Sequence, residues 1–310
     1  MTSLAIEVLD LGKTYSAFRE KTVSALQGVS LRVELGTIFG LIGQNGAGKT
    51  TLIKMLLGLA TPTSGAARVL GSSPRDPSTR RRVGYLPEQM RLPDYFQSKN
   101  FLRYMGRLNG VDRTVMKRRI PVLLERVGLA DSRKPVKAYS KGMQQRLGLA
   151  QALVSDPEVL FLDEPTDGLD PLGRKDVRDL LVQLRTEGRT IFLNSHLLSE
   201  VELVCDRIVI LNNGSVARAA TPQEFTCGTG EYLIRVAAVD DAVRAAVAGV
   251  AGDAAAEWEQ NALRFTPLDR AHLNSLLDRL RGVPVEIESV EPVKLSLEEF
   301  FLQVVSGQEP

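Results

Sequence analysis

Residues 43 to 51 read Gly-Gln-Asn-Gly-Ala-Gly-Lys-Thr-Thr, a complete Walker A phosphate-binding loop. The run Ile38-Phe39-Gly40-Leu41-Ile42 before it reads as a buried strand, and Leu52, Met55, Leu56 and Leu59 after it recur at the spacing of one helix face. Strand, glycine loop and helix together lay backbone N–H groups and the positive end of a helix around a polyphosphate. Gly43, Gly46 and Gly48 let the chain turn tightly and approach phosphates without a side-chain clash, with Gln44, Asn45, Ala47 and Thr51 completing the cradle. Lys49 is placed to reach the β- and γ-phosphates, and the hydroxyl of Thr50 is the expected Mg²⁺ ligand. The segment predicts a nucleoside triphosphate site.

At 310 residues the chain has room for about two domains. Its net charge of +2 argues neither for nor against nucleic acid, and Arg80-Arg81-Arg82 reads as a solvated face. No stretch approaches the ~18 consecutive apolar residues of a membrane span. The start, Met1-Thr2-Ser3-Leu4-Ala5-Ile6-Glu7, lacks the basic region and apolar core of a secretory signal. Cys205 and Cys227 stand in no metal or redox spacing, as suits a reducing compartment. Any membrane connection is therefore expected through a partner.

The polar and apolar pattern predicts an α/β fold. Residues 4 to 33 read as edge strands, with Val29, Leu31 and Val33 alternating with polar neighbours, and Thr63-Ser64-Gly65 reads as a loop. Val83–Leu86 is a short strand, and residues 97 to 130 carry helical spacing broken at Asn109-Gly110, a helical insertion within about 90–150. From Ser140 onward strands and helices alternate: helix 141–154, strand Val159–Leu162, helix 172–186, strand Thr190–Asn194, helix 197–204 and strand Arg207–Leu211. Such alternation implies a largely parallel sheet. Asn212-Asn213-Gly214 marks a hairpin. The pattern breaks near Cys227-Gly228-Thr229-Gly230, which predicts domains at 1–225 and 226–310. The second is expected to be a small α/β module in which Ser296 and Glu299 form a capping box and His272 and Trp258 serve packing.

Val159-Leu160-Phe161-Leu162-Asp163-Glu164 is an apolar strand ending in two acids, a Walker B. Ionised carboxylates are costly to desolvate unless paired or metal-bound, so two at the end of a buried strand imply a use. Asp163 is placed for the Mg²⁺ shell and Glu164 to orient, or take a proton from, an attacking water. Between the Walker motifs, Tyr139-Ser140-Lys141-Gly142-Met143-Gln144-Gln145-Arg146 opens an amphipathic helix on a serine cap; Asp167-Gly168-Leu169-Asp170 and Asn194-Ser195-His196 follow Walker B.

In that order the motifs resemble the ATP-binding cassette family, the nucleotide-binding subunits of ABC transporters, over roughly residues 4 to 225. The resemblance implies a P-loop ATPase core with a helical insertion, binding ATP and Mg²⁺. It implies that Ser140 and Gly142 close over the γ-phosphate of ATP held by another subunit, that Asp170 lies in the D-loop across a dimer interface, that His196 contacts the γ-phosphate, and that Tyr15 stacks on adenine, with core packing as the alternative for Tyr15. Three segments depart from the family pattern. The usual Leu-Ser-Gly-Gly-Gln is here Tyr-Ser-Lys-Gly-Met, a form familiar in exporter-type cassettes. Glu88 holds the register where glutamine is expected and Gln89 follows it, so either is a candidate to meet Mg²⁺; and Asp167-Gly168 replaces the common Ser-Ala.

The resemblance further implies a catalytic set of Lys49, Glu164 and His196, a head-to-tail homodimer or heterodimer of cassettes, and a transmembrane permease as partner. Export is the expected direction, with the chain peripheral on the cytoplasmic face of the inner membrane and no nucleic acid involved. An importer cassette and a soluble cassette acting on ribosomes or DNA are the rival readings. Arg91 to Leu108, with apolar Leu92, Tyr95, Phe96, Phe101 and Leu102, is the expected permease-docking surface.

Overall fold

A computed structural model describes residues 3–15, 22–130, 134–226, 228–251 and 256–307; Cys227 lies outside them. The chain divides into two compact units, Met1–Pro222 and Gln223–Pro310.

The first unit opens with two long antiparallel strands, β1 (Leu4–Tyr15) and β2 (Val23–Glu34). In β2 the alternation is real: Val29, Leu31 and Val33 are buried between exposed Ser30, Arg32 and Glu34. Strand β3 (Ile38–Ile42) is buried at every position and feeds the glycine loop into α1 (Lys49–Leu56). That helix stops earlier than the sequence spacing implied. Gly58, at φ +70°, reverses the chain so that the Leu59 N–H closes back on the Lys54 carbonyl at 2.8 Å, which ends the helix and leaves Leu59 exposed. The expected loop at Thr63–Gly65 is also corrected, because Ser64 and Gly65 begin β4 (Ser64–Val69), which joins the free edge of β1. A Ser-Gly-Ala-Ala run has little strand preference of its own, and the pairing supplies it.

Helix α2 (Pro77–Arg81), capped by Asp76 on the Ser78 N–H, leads into β5 (Val83–Leu86). Arg82 is not only solvated: it makes an ion pair with Glu158. The helical insertion follows as α3 (Ser98–Leu108) and α4 (Arg113–Arg126), interrupted at Asn109-Gly110. Then come α5 (Lys141–Ala152), β6 (Val159–Asp163), α6 (Pro171–Thr186), β7 (Thr190–Asn194), α7 (Leu198–Val204), β8 (Arg207–Asn212) and β9 (Ser215–Ala220).

Two sheets result. One is antiparallel, in the order β2-β1-β4; the other runs β5-β6-β7-β3-β8-β9 and is parallel except for the β8–β9 hairpin. The central strands β3, β6 and β7 are buried at all positions, which is why they read as unbroken apolar runs. Phe192 of β7 packs against Phe39 at 5.5 Å and Phe161 at 5.4 Å between ring centroids. Because these strands are parallel and in register, with Asp163 beside Asn194, their carboxyl ends deliver the glycine loop, Glu164 and His196 to one edge of the sheet.

Helix α8 (Pro222–Phe225) precedes the second unit's strands and helices: β10 (Gly228–Val236), α9 (Asp241–Ala251), β11 (Ala256–Glu259), β12 (Ala262–Phe265), α10 (Arg270–Arg281), β13 (Ile287–Lys294) and α11 (Leu297–Ser306). The antiparallel order β11-β12-β10-β13 with two crossing helices is a split β-α-β arrangement. Ile234, Val236, Leu263, Phe265, Leu276 and Leu280 fill its core, and Trp258 packs against them. The Ser296–Glu299 capping box is formed. His272 accepts the Leu268 N–H on Nδ1 at 3.1 Å, donates from Nε2 to the Val250 carbonyl at 3.0 Å, and meets the Phe265 ring edge-on.

Candidate functional site

A cavity of about 540 Å³ opens where β3, β6 and β7 end. Gln44, Asn45, Gly46, Gly48, Lys49, Thr50 and Thr51 form one wall, while Glu88, Glu164, Asp167, Asn194 and His196 face them. Val23, Ser24 and Ala25 of β2 close the side. Gly48 sits at φ +104°, and a Cβ there would lie 2.4 Å from the Ala25 carbonyl oxygen, so the loop can seat against β2 only with glycine at this point. Gly43 and Ala47 lie behind the wall; the carbonyl of Gly43 accepts from Lys49 Nζ at 2.6 Å and that of Gln44 accepts at 3.0 Å. Burial lowers the Lys49 pKa, against the opposing pull of Glu164, Asp163 and Glu88.

Asp163 is buried at the end of β6 and accepts a hydrogen bond from the Asn194 amide, whose own Oδ1 is buried without a partner. Burial holds the Asp163 carboxyl above the ordinary range, and Glu88 adds to this. Glu164 has a left-handed backbone at φ +53°, unusual for a residue with a side chain, and is fixed there from both sides. Its N–H donates to the Asn194 carbonyl at 2.9 Å, and its carbonyl accepts from Gln145 Nε2 of α5 at 2.8 Å. Its Oε2 lies 2.8 Å from His196 Nδ1 and accepts from Ser195 Oγ at 3.4 Å. Burial pushes the Glu164 carboxyl upward while His196 pulls it back.

Ser140, Gly142 and Asp170 do not reach this cavity. They line a separate concavity of about 620 Å³ together with Lys141, Gly168 and Leu169. Ser140 caps α5 by accepting the Met143 N–H at 3.2 Å, and Asp170 caps α6 by accepting the Gly173 N–H at 2.8 Å. Of the two candidates beyond β5, Glu88 stands on the cavity and Gln89 is exposed and off its wall. Tyr15 is 43% exposed, so core packing does not account for it; it is not on the wall, but its strand partner Val23 is, and Lys13 Nζ lies 4.9 Å over its ring. In the expected docking segment, Tyr95 is exposed, but Phe101 and Leu102 turn inward and are buried, since they form the core-facing side of amphipathic α3.

Val23–Ala25 carry no motif in the sequence, and Asp167, Gln145 and Ser195 lie inside motifs that assigned them no role. The β2 wall has no local signature, because it arises from two sheets meeting. Asp167 and Ser195 did carry one: polar residues within four positions of the ends of buried strands β6 and β7.

The sequence profile of the family described as ABC transporter matches residues 26–167. An uncharacterised ABC transporter ATP-binding protein of Synechocystis is 38% identical over 307 residues, an alignment spanning 96% of this chain and 84% of that protein. A Nod factor export ATP-binding protein I of Cupriavidus pinatubonensis is 38% identical over 222 residues, spanning 70% of this chain and 67% of that protein. A solved ATP-binding subunit of an ABC transporter superposes with a TM-score of 0.65 at 32% identity, covering 71% of this chain and 91% of the other.

Proposed function

The chain belongs to the ATP-binding proteins of ABC transporters, ATPases that work with a membrane permease, and we propose that it powers export as one of two cassettes sharing their ATP sites. One observation carries the shared-site reading. Ser140, Gly142 and Asp170 occupy a concavity that has no residue in common with the cavity of Lys49, Glu164 and His196. One chain thus holds two unlike half-sites, and two chains related head to tail complete both. The export reading rests on the Nod factor export relative and on the Tyr-Ser-Lys-Gly-Met form of the signature. Among the described residues no helix is long and apolar enough to cross a membrane, which fits a peripheral subunit held on the cytoplasmic face by its permease.

In this mechanism Lys49 exchanges the carbonyls of Gly43 and Gln44 for the β- and γ-phosphates, with the loop amides around them. Thr50 and Asp163 offer the hard oxygens that suit Mg²⁺. No group of three His, Cys, Asp or Glu side chains is placed to hold a metal among the described residues, as befits an ion shared with phosphates. Bound there, Mg²⁺ would neutralise charge on the triphosphate. Glu164 orients the attacking water and takes its proton, His196 holds that carboxylate and faces the γ-phosphate, and Ser140 and Gly142 of the second chain cover it. Tyr15 stacks on adenine from the rim beyond Val23.

Mixing two defective variants tests the arrangement. Ser140→Arg damages one half-site and Lys49→Ala the other, so a heterodimer of the two retains one undamaged composite site. Partial recovery of hydrolysis is expected on mixing; no recovery in heterodimers shown to form rejects the shared sites.

A further inference from the structure

Helices α3 and α4 enclose a concavity of about 1010 Å³ that shares no residue with the nucleotide cavity. Its α3 side carries Lys99, Arg103 and Arg107, spaced four apart on one stripe, and its α4 side carries Arg113 and Lys117; all five are exposed. Among the described residues the one carboxylate on the wall, Asp112, is already engaged as the cap of α4, accepting from the Thr114 N–H at 2.7 Å and from the Thr114 hydroxyl. Among the described residues none of the five cations has a carboxylate within ion-pair distance. Several arginines elsewhere in the same unit are paired instead. Arg82, Arg126, Arg146, Arg178, Arg185 and Arg189 each meet a partner acid. A chain of net charge +2 has therefore gathered unpaired positive charge in one hollow.

The hollow is also firmly built. A Cβ on Gly106 of α3 would lie 2.5 Å from the Met116 sulfur of α4, so the two helices touch, and Met116 and Ile120 form a buried apolar floor. Beside the cationic stripe, α3 exposes Tyr104 and Leu108, at 49% and 64%. A soluble anion has use for the cations but none for an exposed tyrosine and leucine. A helix with a cationic stripe edged by an aromatic and an aliphatic residue suits the boundary between lipid headgroups and acyl chains.

We propose that this concavity binds the phosphate headgroups of an anionic membrane leaflet, with Tyr104 and Leu108 meeting the interface. The inference deepens the peripheral placement given above. It gives the cassette its own contact with the lipid surface and sets its orientation there independently of the permease. The negative potential of such a leaflet attracts clustered Lys and Arg and fades within a Debye length.

Sedimentation of the full chain with vesicles tests this, without any permease. Binding is expected to vesicles of phosphatidylglycerol and phosphatidylcholine, not to phosphatidylcholine alone, and it should weaken with added salt. Arg113→Glu should weaken it roughly tenfold or more, as should Lys117→Glu. Arg118→Glu makes the same change of charge at an exposed α4 position off the concavity, and should leave binding nearly intact. Hydrolysis of ATP in solution by the Arg113→Glu and Lys117→Glu chains should match the unmodified chain, showing that the cassette is folded. Equal loss from Arg118→Glu would reduce the effect to net charge and overturn the site. So would binding to neutral vesicles, or calorimetric binding of inorganic phosphate that displaces the vesicles. A chain that hydrolyses ATP yet ignores anionic vesicles overturns the lipid site while sparing the transporter assignment; a chain that binds vesicles but has no ATPase activity does the reverse.

Discussion

His196 places its Nδ1 2.8 Å from Oε2 of Glu164, whose backbone is held in the left-handed region at φ +53°. A strained residue persists only where its surroundings over-determine it, and such positions cluster at working sites. Here Asn194 fixes the N–H of Glu164 and Gln145 its carbonyl, while Ser195 and His196 both hold Oε2. Glu164→Gln keeps that shape but removes the proton acceptor. Hydrolysis should fall about 10²- to 10⁴-fold while ATP binding persists and an ATP-bound dimer accumulates. Turnover and light scattering in Mg-ATP read both effects, and wild-type turnover in this variant removes Glu164 from the chemistry.

Lys49→Ala should abolish tight ATP binding. Its ammonium is partly desolvated and rests on two loop carbonyls, from which it can be recruited by a triphosphate. Among the described residues no other lysine or arginine lines the cavity. A binding titration giving wild-type affinity would show that the loop is not the phosphate site.

How far this could be foreseen depended on whether the cause was local. The glycine loop, β3 and β6 announce themselves because each is a continuous apolar run or a spaced motif whose neighbours in sequence are its neighbours in space. Strand β4 and the β2 wall of the cavity do not, because both exist through pairing or packing with distant strands. Leu59 matched the helix period, yet Gly58 ends the helix first. Phe101 and Leu102 looked like an offered surface, and the helical period that should have turned them inward was outweighed by their aromatic neighbours. Which of Glu88 and Gln89 lines the cavity depends on the direction in which the chain leaves β5.

The packed rings of the central sheet give a stability prediction. Phe192 is fully buried and packs against both Phe39 and Phe161 in a strand bonded on both sides. Phe192→Ala should cost about 3–5 kcal/mol, seen as an earlier denaturant midpoint for the unit that carries the nucleotide cavity. A loss below about 1 kcal/mol would mean that the sheet relaxes around the void.

Two residues that depart from the family pattern turn out to be partners. Lys141, in the signature, lies 2.7 Å from Asp167, in the turn behind Glu164, and its stem crosses Gly168, where an added Cβ would stand 2.4 Å from Lys141 Cδ. The hydrogen bond from Lys141 holds the Asp167 carboxyl below its ordinary range. Both side chains are substantially exposed, and such pairs contribute only about 0–1 kcal/mol, so the fold does not depend on this one. Its importance is electrostatic, because Asp167 also lines the cavity that receives a polyphosphate. Lys141→Met leaves that carboxylate uncompensated against the incoming charge and should raise KM for ATP several-fold, with little change in melting temperature. Adding Asp167→Asn to the same chain removes the repulsion and should restore KM, whereas Asp167→Asn alone should leave it near the starting value. Steady-state kinetics on the three variants complete the cycle. An unchanged KM in Lys141→Met, or a double variant no better than the single, would show that the pair does not shield the nucleotide cavity.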